Sequence, residues 1–95
     1  MGDLDGVFKA LADPTRREIL GLLRARDMTA GELAERFPLA FSTISGHCKV
    51  LRGAGLVVTE RQGTTIVYSL NTSVAEDALG AMLQVLGVGA RRKDR

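Results

Sequence analysis

The 95-residue chain carries one cysteine, one histidine and no tryptophan, and its aromatic content is only 4%. The lone Cys48 has no partner for an intramolecular disulfide and fits a reducing compartment. The single histidine, His47, leaves few soft ligands for a transition metal. No apolar run approaches the ~18 residues that a membrane span needs. Asp3 and Asp5 stand where a signal peptide would carry basic charge, and no apolar stretch follows them. Gly6 sits where a myristoylation pattern requires Ser or Thr. A cytoplasmic protein without membrane contact is the expectation. Catalytic groupings are missing as well. There is no paired carboxylate, nucleophile–base set, phosphate-cradling loop or metal cluster, and the only His and Cys are adjacent. No enzyme and no cofactor are expected.

What is present describes a globular chain. An apolar fraction of 45% and a charged fraction of 25% are ordinary for one, and the length suits a single domain over residues 1–95. So small a core often gains stability by burying apolar surface against a second copy. The net charge of +2 argues little for nucleic acid, but its distribution says more. Between Arg36 and Ala75 the bases Arg36, Lys49, Arg52 and Arg61 face a single acid, Glu60, whereas the acids concentrate in the first third. The end, Arg91-Arg92-Lys93-Asp94-Arg95, is basic again, and a frayed tail over residues 88–95 is expected.

Periodicity and capping signals place the elements. Leu4, Val7, Phe8 and Leu11 recur at helical spacing, so an amphipathic helix opens the chain. Asp13-Pro14 starts a second helix, with Asp13 as cap and Pro14 at the first position, and Asp27-Met28 breaks it. Thr29-Ala30-Gly31-Glu32 is a capping box opening a short helix to about Arg36, which buries Leu33, Ala34 and Phe37. Pro38 and Leu39 form a turn. The next helix runs from about Phe41 to Ala54, with Gly55 as its left-handed cap. Leu56–Arg61 and Thr65–Leu70 then read as strands joined at Gln62-Gly63-Thr64. Asn71 or Thr72 caps a last helix to about Leu86. The fold class is thus mainly α with a small β-hairpin, ordered helix, helix, helix, helix, hairpin, helix. That is a winged helix-turn-helix.

The helix before the hairpin carries the chemistry. On a wheel, Ile44, Cys48 and Leu51 fall within about 60° of one another and form its buried face. Ser42, Ser45, Gly46, Lys49 and Gly53 lie opposite, with Arg52 at the edge, and no carboxylate occurs from Phe41 to Ala54. Hydroxyls, a cation and side-chain-free positions suit a phosphate-lined major groove, where a merely solvated helix would mix in acids. Arg61 at the tip of the hairpin can reach phosphates or a minor groove.

The segment Ser42-Thr43-Ile44-Ser45-Gly46-His47-Cys48-Lys49-Val50-Leu51-Arg52-Gly53-Ala54-Gly55-Leu56-Val57 resembles the recognition-helix signature of ArsR-type bacterial repressors. Phe8-Lys9-Ala10-Leu11-Ala12-Asp13-Pro14-Thr15-Arg16-Arg17-Glu18-Ile19-Leu20 is similar to the family's opening. The segments Met28-Thr29-Ala30-Gly31-Glu32-Leu33-Ala34 and Gly63…Tyr68-Ser69-Leu70 agree with it, so the likeness spans nearly the whole chain. It points to the short autorepressors of the SdpR kind that lack a sensor site. Three positions depart from the pattern: Ala40 where a capping Ser or Thr is usual, Gly46 in the reading face, and Cys48 in place of Leu.

The resemblance implies a homodimeric repressor on an inverted repeat of double-stranded DNA, acting by occlusion. The DNA-contacting residues it points to are Arg17, Ser42, Thr43, Ser45, Gly46, His47, Lys49 and Arg52, with Arg61, Gln62, Gly63 and Thr64 in the wing. It also implies a dimer through the first and last helices, by way of Leu4, Val7, Phe8, Val74, Ala78, Leu79, Met82, Leu83 and Leu86. Their apolar surface exceeds what so small a domain covers alone. Metal-sensing relatives use a Cys-x-Cys pair before the recognition helix, or Asp and His in the last helix. Here those places hold Glu32-Leu33-Ala34-Glu35-Arg36-Phe37 and only Glu76 and Asp77, so no metal site is expected.

Several residues admit more than one reading. His47 reads as a half-buried residue bonded to backbone or phosphate, with a pH switch or metal ligand as alternatives. Cys48 reads as a packed small hydrophobe rather than a redox sensor. Asp13 caps, while one of Arg16 and Arg17 meets the DNA backbone and the other faces solvent. The basic tail is a solvated end or a nonspecific phosphate contact. Two alternative functions also stand: a winged-helix protein-interaction module, or a repressor answering to a ligand, a redox signal or a sequestering protein partner.

Overall fold

Leu4, Val7 and Leu11 share one side of a helical turn, and α1 forms over Leu4–Leu11 in the computed structural model, which describes residues 4–88. The expected tail therefore lies outside the described residues, apart from Val88. Helix α2 (Pro14–Ala25) begins where Asp13 accepts the backbone N–H of Arg16 at 3.0 Å and Pro14 takes the first turn. It buries Ile19 and Leu23.

The segment after α2 is more than the break expected from sequence. Arg26 is extended, and Met28–Thr29 form a short strand, β1, whose residues pair with Tyr68 and Val67. Thr29 is simultaneously the N-cap of α3 (Ala30–Ala34), and an N-cap is itself a β-region residue, so one backbone conformation serves both elements. Its hydroxyl accepts the Glu32 N–H at 3.0 Å and the Glu32 carboxylate accepts the Thr29 N–H at 2.9 Å, completing the capping box. The helix stops at Ala34 rather than about Arg36. There the bonding tightens from i−4 to i−3, with Arg36 and Phe37 donating to Leu33 and Ala34.

Helix α4 (Phe41–Gly53) starts at Ala40 without a side-chain cap and ends in a Schellman motif. Gly55, at φ 81°, donates to Arg52, while Leu56 donates to Leu51. Strands β2 (Val57–Gln62) and β3 (Thr65–Leu70) pair in antiparallel register from Val57↔Leu70 to Gln62↔Thr65. Gly63 supplies the positive φ in a two-residue loop, the pattern of a type II′ turn. The sheet thus has three strands in the order β1-β3-β2, one more than the hairpin alone. Asn71 caps α5 (Thr72–Leu86) by accepting the Val74 N–H at 3.5 Å.

One core cluster joins these elements. Ile19 and Leu23 of α2, Met28 of β1, Leu33 of α3, Ile44 and Leu51 of α4 and Leu56 are its largest apolar side chains, joined by Val57 of β2 and closed by Val7 of α1 and Ala78 of α5. Helices α3 and α4 with the turn between them, followed by the β2–β3 hairpin, make the winged helix-turn-helix. Among the described residues no helix is long and apolar enough to cross a membrane.

The caps make stability depend on acid. Backbone N–H bonds, from Arg16 to Asp13 and from Thr29 to Glu32, are the chief cause holding both carboxyls below their ordinary values. Depressed folded values mean that this stability is fully present above the ordinary carboxylate range and is lost as pH falls through the folded values. Urea unfolding should therefore show a stability plateau near neutral pH and a decline below about pH 4. Thr29→Ala should lower the unfolding free energy by about 1 kcal/mol at neutral pH.

Candidate nucleic-acid interface

Burial of one face of α4 decides what its other face presents. Ile44, Cys48 and Leu51 are each 1% exposed or less. Ser42, Thr43, Gly46, Lys49, Arg52 and Gly53 are consequently exposed, while Ser45 is half-buried. The side chains of Lys49 and Arg52 make no hydrogen bond or ion pair among the described residues, and neither does that of Arg61 in the wing. Arg61, Gln62, Gly63 and Thr64 all lie exposed at the hairpin tip. The two elements that carry this basic, hydroxyl-bearing surface are joined only by Ala54, Gly55 and Leu56. Ala54 and Leu56 are buried, so the junction is anchored in the core.

Both side chains of the Arg16–Arg17 pair fold back on α1, with Arg16 half-buried and Arg17 exposed, an anchoring that was not among the expectations. The last turn of α1 points its carbonyls toward α2, and both guanidinium groups turn back to them, Lys9 O accepting the Ala12 N–H as well. Arg16 donates Nε to Ala10 O at 2.8 Å and Nη2 to Lys9 O at 3.1 Å. Arg17 donates Nη1 to Leu11 O at 2.7 Å while staying exposed. Arg16 Nη1 also lies 3.2 Å from His47 Nδ1, and His47 Nε2 lies 3.9 Å from Asp13 Oδ2. His47 thus meets side chains of the N-terminal half rather than backbone, and with Arg16 it joins α4 to α1 and α2.

Sequence reasoning did not single out Val50, Phe41 or Leu39, which are 44%, 57% and 43% exposed beside the hydroxyl face. The same wheel could have found Val50, about 80° from Ser42 and away from the core. Exposed apolar groups there can meet thymine methyls. Gly46 and Gly53 have open space where a Cβ would stand, so packing does not demand glycine at either position.

The residues assigned to self-association divide. Val7 and Ala78 are already covered by the chain's own core, which removes them from a surface offered to a partner. Leu4 and Val74 are half-buried and pack against that core. Phe8, Leu79, Met82, Leu83 and Leu86 remain exposed, joined by Val85 and Val88. Of the fifteen residues of α5, only Ala78 is buried. An apolar groove of about 350 Å³ opens between α1, α2 and α5, lined by Phe8, Leu11, Leu20, Leu79 and Met82, with Arg24 the one charged residue on its wall.

Among the described residues no three His, Cys, Asp or Glu side chains gather where they could hold a metal ion. Burial pushes the Cys48 thiol up from its ordinary value, which disfavours the reactive thiolate.

Residues 13–59 match the model of the arsR family of bacterial regulatory proteins. The chain is 45% identical over 86 residues to the transcriptional repressor SdpR of Bacillus subtilis, covering 90% of this chain and 96% of that protein. An ArsR-like transcriptional regulator from Rhodococcus sp. RHA1 superposes with a TM-score of 0.78 at 34% identity, over 88% of this chain and 78% of that one. The homodimeric winged helix-turn-helix DNA-binding domain of a possible ArsR-family regulator from Mycobacterium bovis gives a TM-score of 0.71 at 32% identity, over 87% and 76% of the two chains.

Modification of Cys48 by a thiol reagent at pH 7.5 should run at least about tenfold slower in the native protein than in urea. Equal rates would mean that the thiol is accessible and would revive its role as a redox sensor.

Proposed function

The chain belongs to the arsR family of bacterial regulatory proteins, and from that membership we propose that it is a transcriptional repressor binding double-stranded DNA as a homodimer. The observation that carries this reading is the outward face of α4, where hydroxyls, two unpaired cations and glycines occur without one carboxylate. In a helix-turn-helix the second helix lies in the major groove, and dimers place two such helices one turn of DNA apart, about 34–36 Å. Ser42, Thr43, Ser45, Gly46, Lys49 and Arg52 meet base edges and phosphates, while Arg61, Gln62, Gly63 and Thr64 of the wing reach the flanking backbone or minor groove. The uncapped first turn of α4 leaves N–H groups that a phosphate oxygen satisfies. Arg17, anchored on Leu11, has further N–H groups to offer to a phosphate.

Self-association buries Phe8, Leu79, Met82, Leu83 and Leu86, which single-chain folding leaves in water. Two-fold symmetry of the dimer then implies an inverted-repeat operator. Repression follows from occlusion, since a dimer seated on a promoter blocks polymerase. No metal-sensing site takes part in this reading, and no catalysis. The relatives named above are regulators, and the candidate residues are suited to contact rather than to bond making. A cytoplasmic location follows from the role.

Two outcomes test the surface. Lys49→Ala and Arg52→Ala should each weaken binding by about 1–3 kcal/mol where the side chain reaches a base, and Arg61→Ala should lower affinity with little change in sequence preference. Fluorescence anisotropy against salt concentration separates these cases, and negligible effects at all three positions would remove the proposed surface. Gly46→Ala should raise stability by about 0.5–1 kcal/mol through helix propensity and yet weaken DNA binding. Higher stability with unchanged affinity would place Gly46 outside the contact.

A further inference from the structure

The Arg16 guanidinium is the point where three elements meet. It closes the end of α1 through Lys9 O and Ala10 O, belongs to the first turn of α2, and reaches His47 in the middle of α4. A guanidinium can only donate, so the facing Nδ1 of His47 must be the acceptor, which puts the ring proton on Nε2. That Nε2 faces Asp13 Oδ2 at 3.9 Å, and the same carboxylate oxygen accepts the Arg16 N–H at 3.0 Å. The His47 ring is therefore held at its Nδ1 edge by Arg16, while Nε2 only faces Asp13 beyond hydrogen-bond reach, and the His47 side chain is 19% exposed. We infer that Arg16 and His47 are positioning residues: they fix α4 relative to α1, and His47 contacts no base.

The inference rests on the proposed reading of the chain as a DNA-binding dimer, and it says what sets the distance between its two reading helices. Helix α1 carries Phe8, part of the exposed face offered to a second copy, one residue from the Lys9 carbonyl that Arg16 holds. Any tilt of α4 on α1 is doubled across a two-fold axis, and the half-sites lie only about one helical turn apart. The planar fork of Arg16 meets two carbonyls and a ring nitrogen at once. An ammonium on a flexible stem does not reproduce that geometry, so Arg16→Lys keeps the charge and loses the link.

The test uses the full chain with Arg16→Lys, Arg16→Gln and His47→Gln. Because the protein has a single histidine, ring nitrogen NMR reads the link without DNA. The wild type should show the Nε2–H tautomer with a hydrogen-bonded Nδ1, and Arg16→Lys should lose that bond. A wild-type ring that averages between tautomers overturns the inference whatever the DNA results are. Anisotropy then compares the best-bound inverted repeat with versions lengthened or shortened by one base pair, well below each variant's unfolding temperature. The expected result is an affinity about five- to tenfold lower on the native spacing, weaker discrimination between spacings, and an unchanged salt slope. A salt slope lower by about one marks a phosphate contact and overturns the positioning role. So does a lowered melting temperature with affinity and spacing preference intact. Failure of the wild type to prefer any DNA, with the His47 bond present, counts against the proposed function and leaves the link itself established.

Discussion

The burial of Ile44, Cys48 and Leu51 fixes which side of α4 meets solvent. Removing those three side chains from water fixes the rotation of the helix about its axis, and every statement about its outward face follows from that angle. Turned by one residue, or about 100°, the helix would in one sense bring core side chains into the groove and in the other push Lys49 toward the interior. Much of the rest of the chain supplies the surfaces against which this face packs. Leu33 comes from α3, Ile19 and Leu23 from α2, Val57 from β2 and Val7 from α1.

Small polar devices hold those surfaces in register. The capping box at Thr29 and Glu32 starts α3 and at the same time draws Met28–Thr29 onto β3, so the helix-turn-helix and the wing share one backbone junction. Gly55 turns the chain sharply from α4 into β2, and the N–H of Asn71 returns to the carbonyl of Leu56 at 2.9 Å, closing the base of the hairpin. The basic tip of the wing and the basic face of α4 are in this way carried on one anchored unit. Helix α5 is covered far less, and it is there and on α1 that the chain leaves large apolar side chains in water.

Local signals were legible where one short pattern decides the structure. Asp13-Pro14, Thr29 with Glu32, Gly55 and Gly63 each name a cap or turn with a single physical solution, and the structure has them all. The apolar stripe of α4 was legible for the same reason. Strand β1 was not, because two residues are too few to show alternation and its Thr29 is already used as a cap. The fold-back of Arg16 and Arg17 was hidden for another reason. Their partners are backbone carbonyls, which no side-chain pattern marks, and the meeting of Arg16 with His47 spans 31 residues of sequence. The self-association face was read too broadly for a related reason. Val7 and Ala78 look like any other apolar residue on α1 and α5, and only the packing shows them covered by their own chain.

Repression by this chain requires two copies of α4 to read DNA together. The most direct measurement is selection of fragments of the organism's own genome by the purified protein, at physiological salt with excess nonspecific competitor, followed by sequencing. A dimer of reading helices should enrich a short inverted repeat with half-sites about one helical turn apart. A folded, dimeric protein that enriches no sequence would contradict this reading of α4, and would turn the helix-turn-helix toward a protein partner instead.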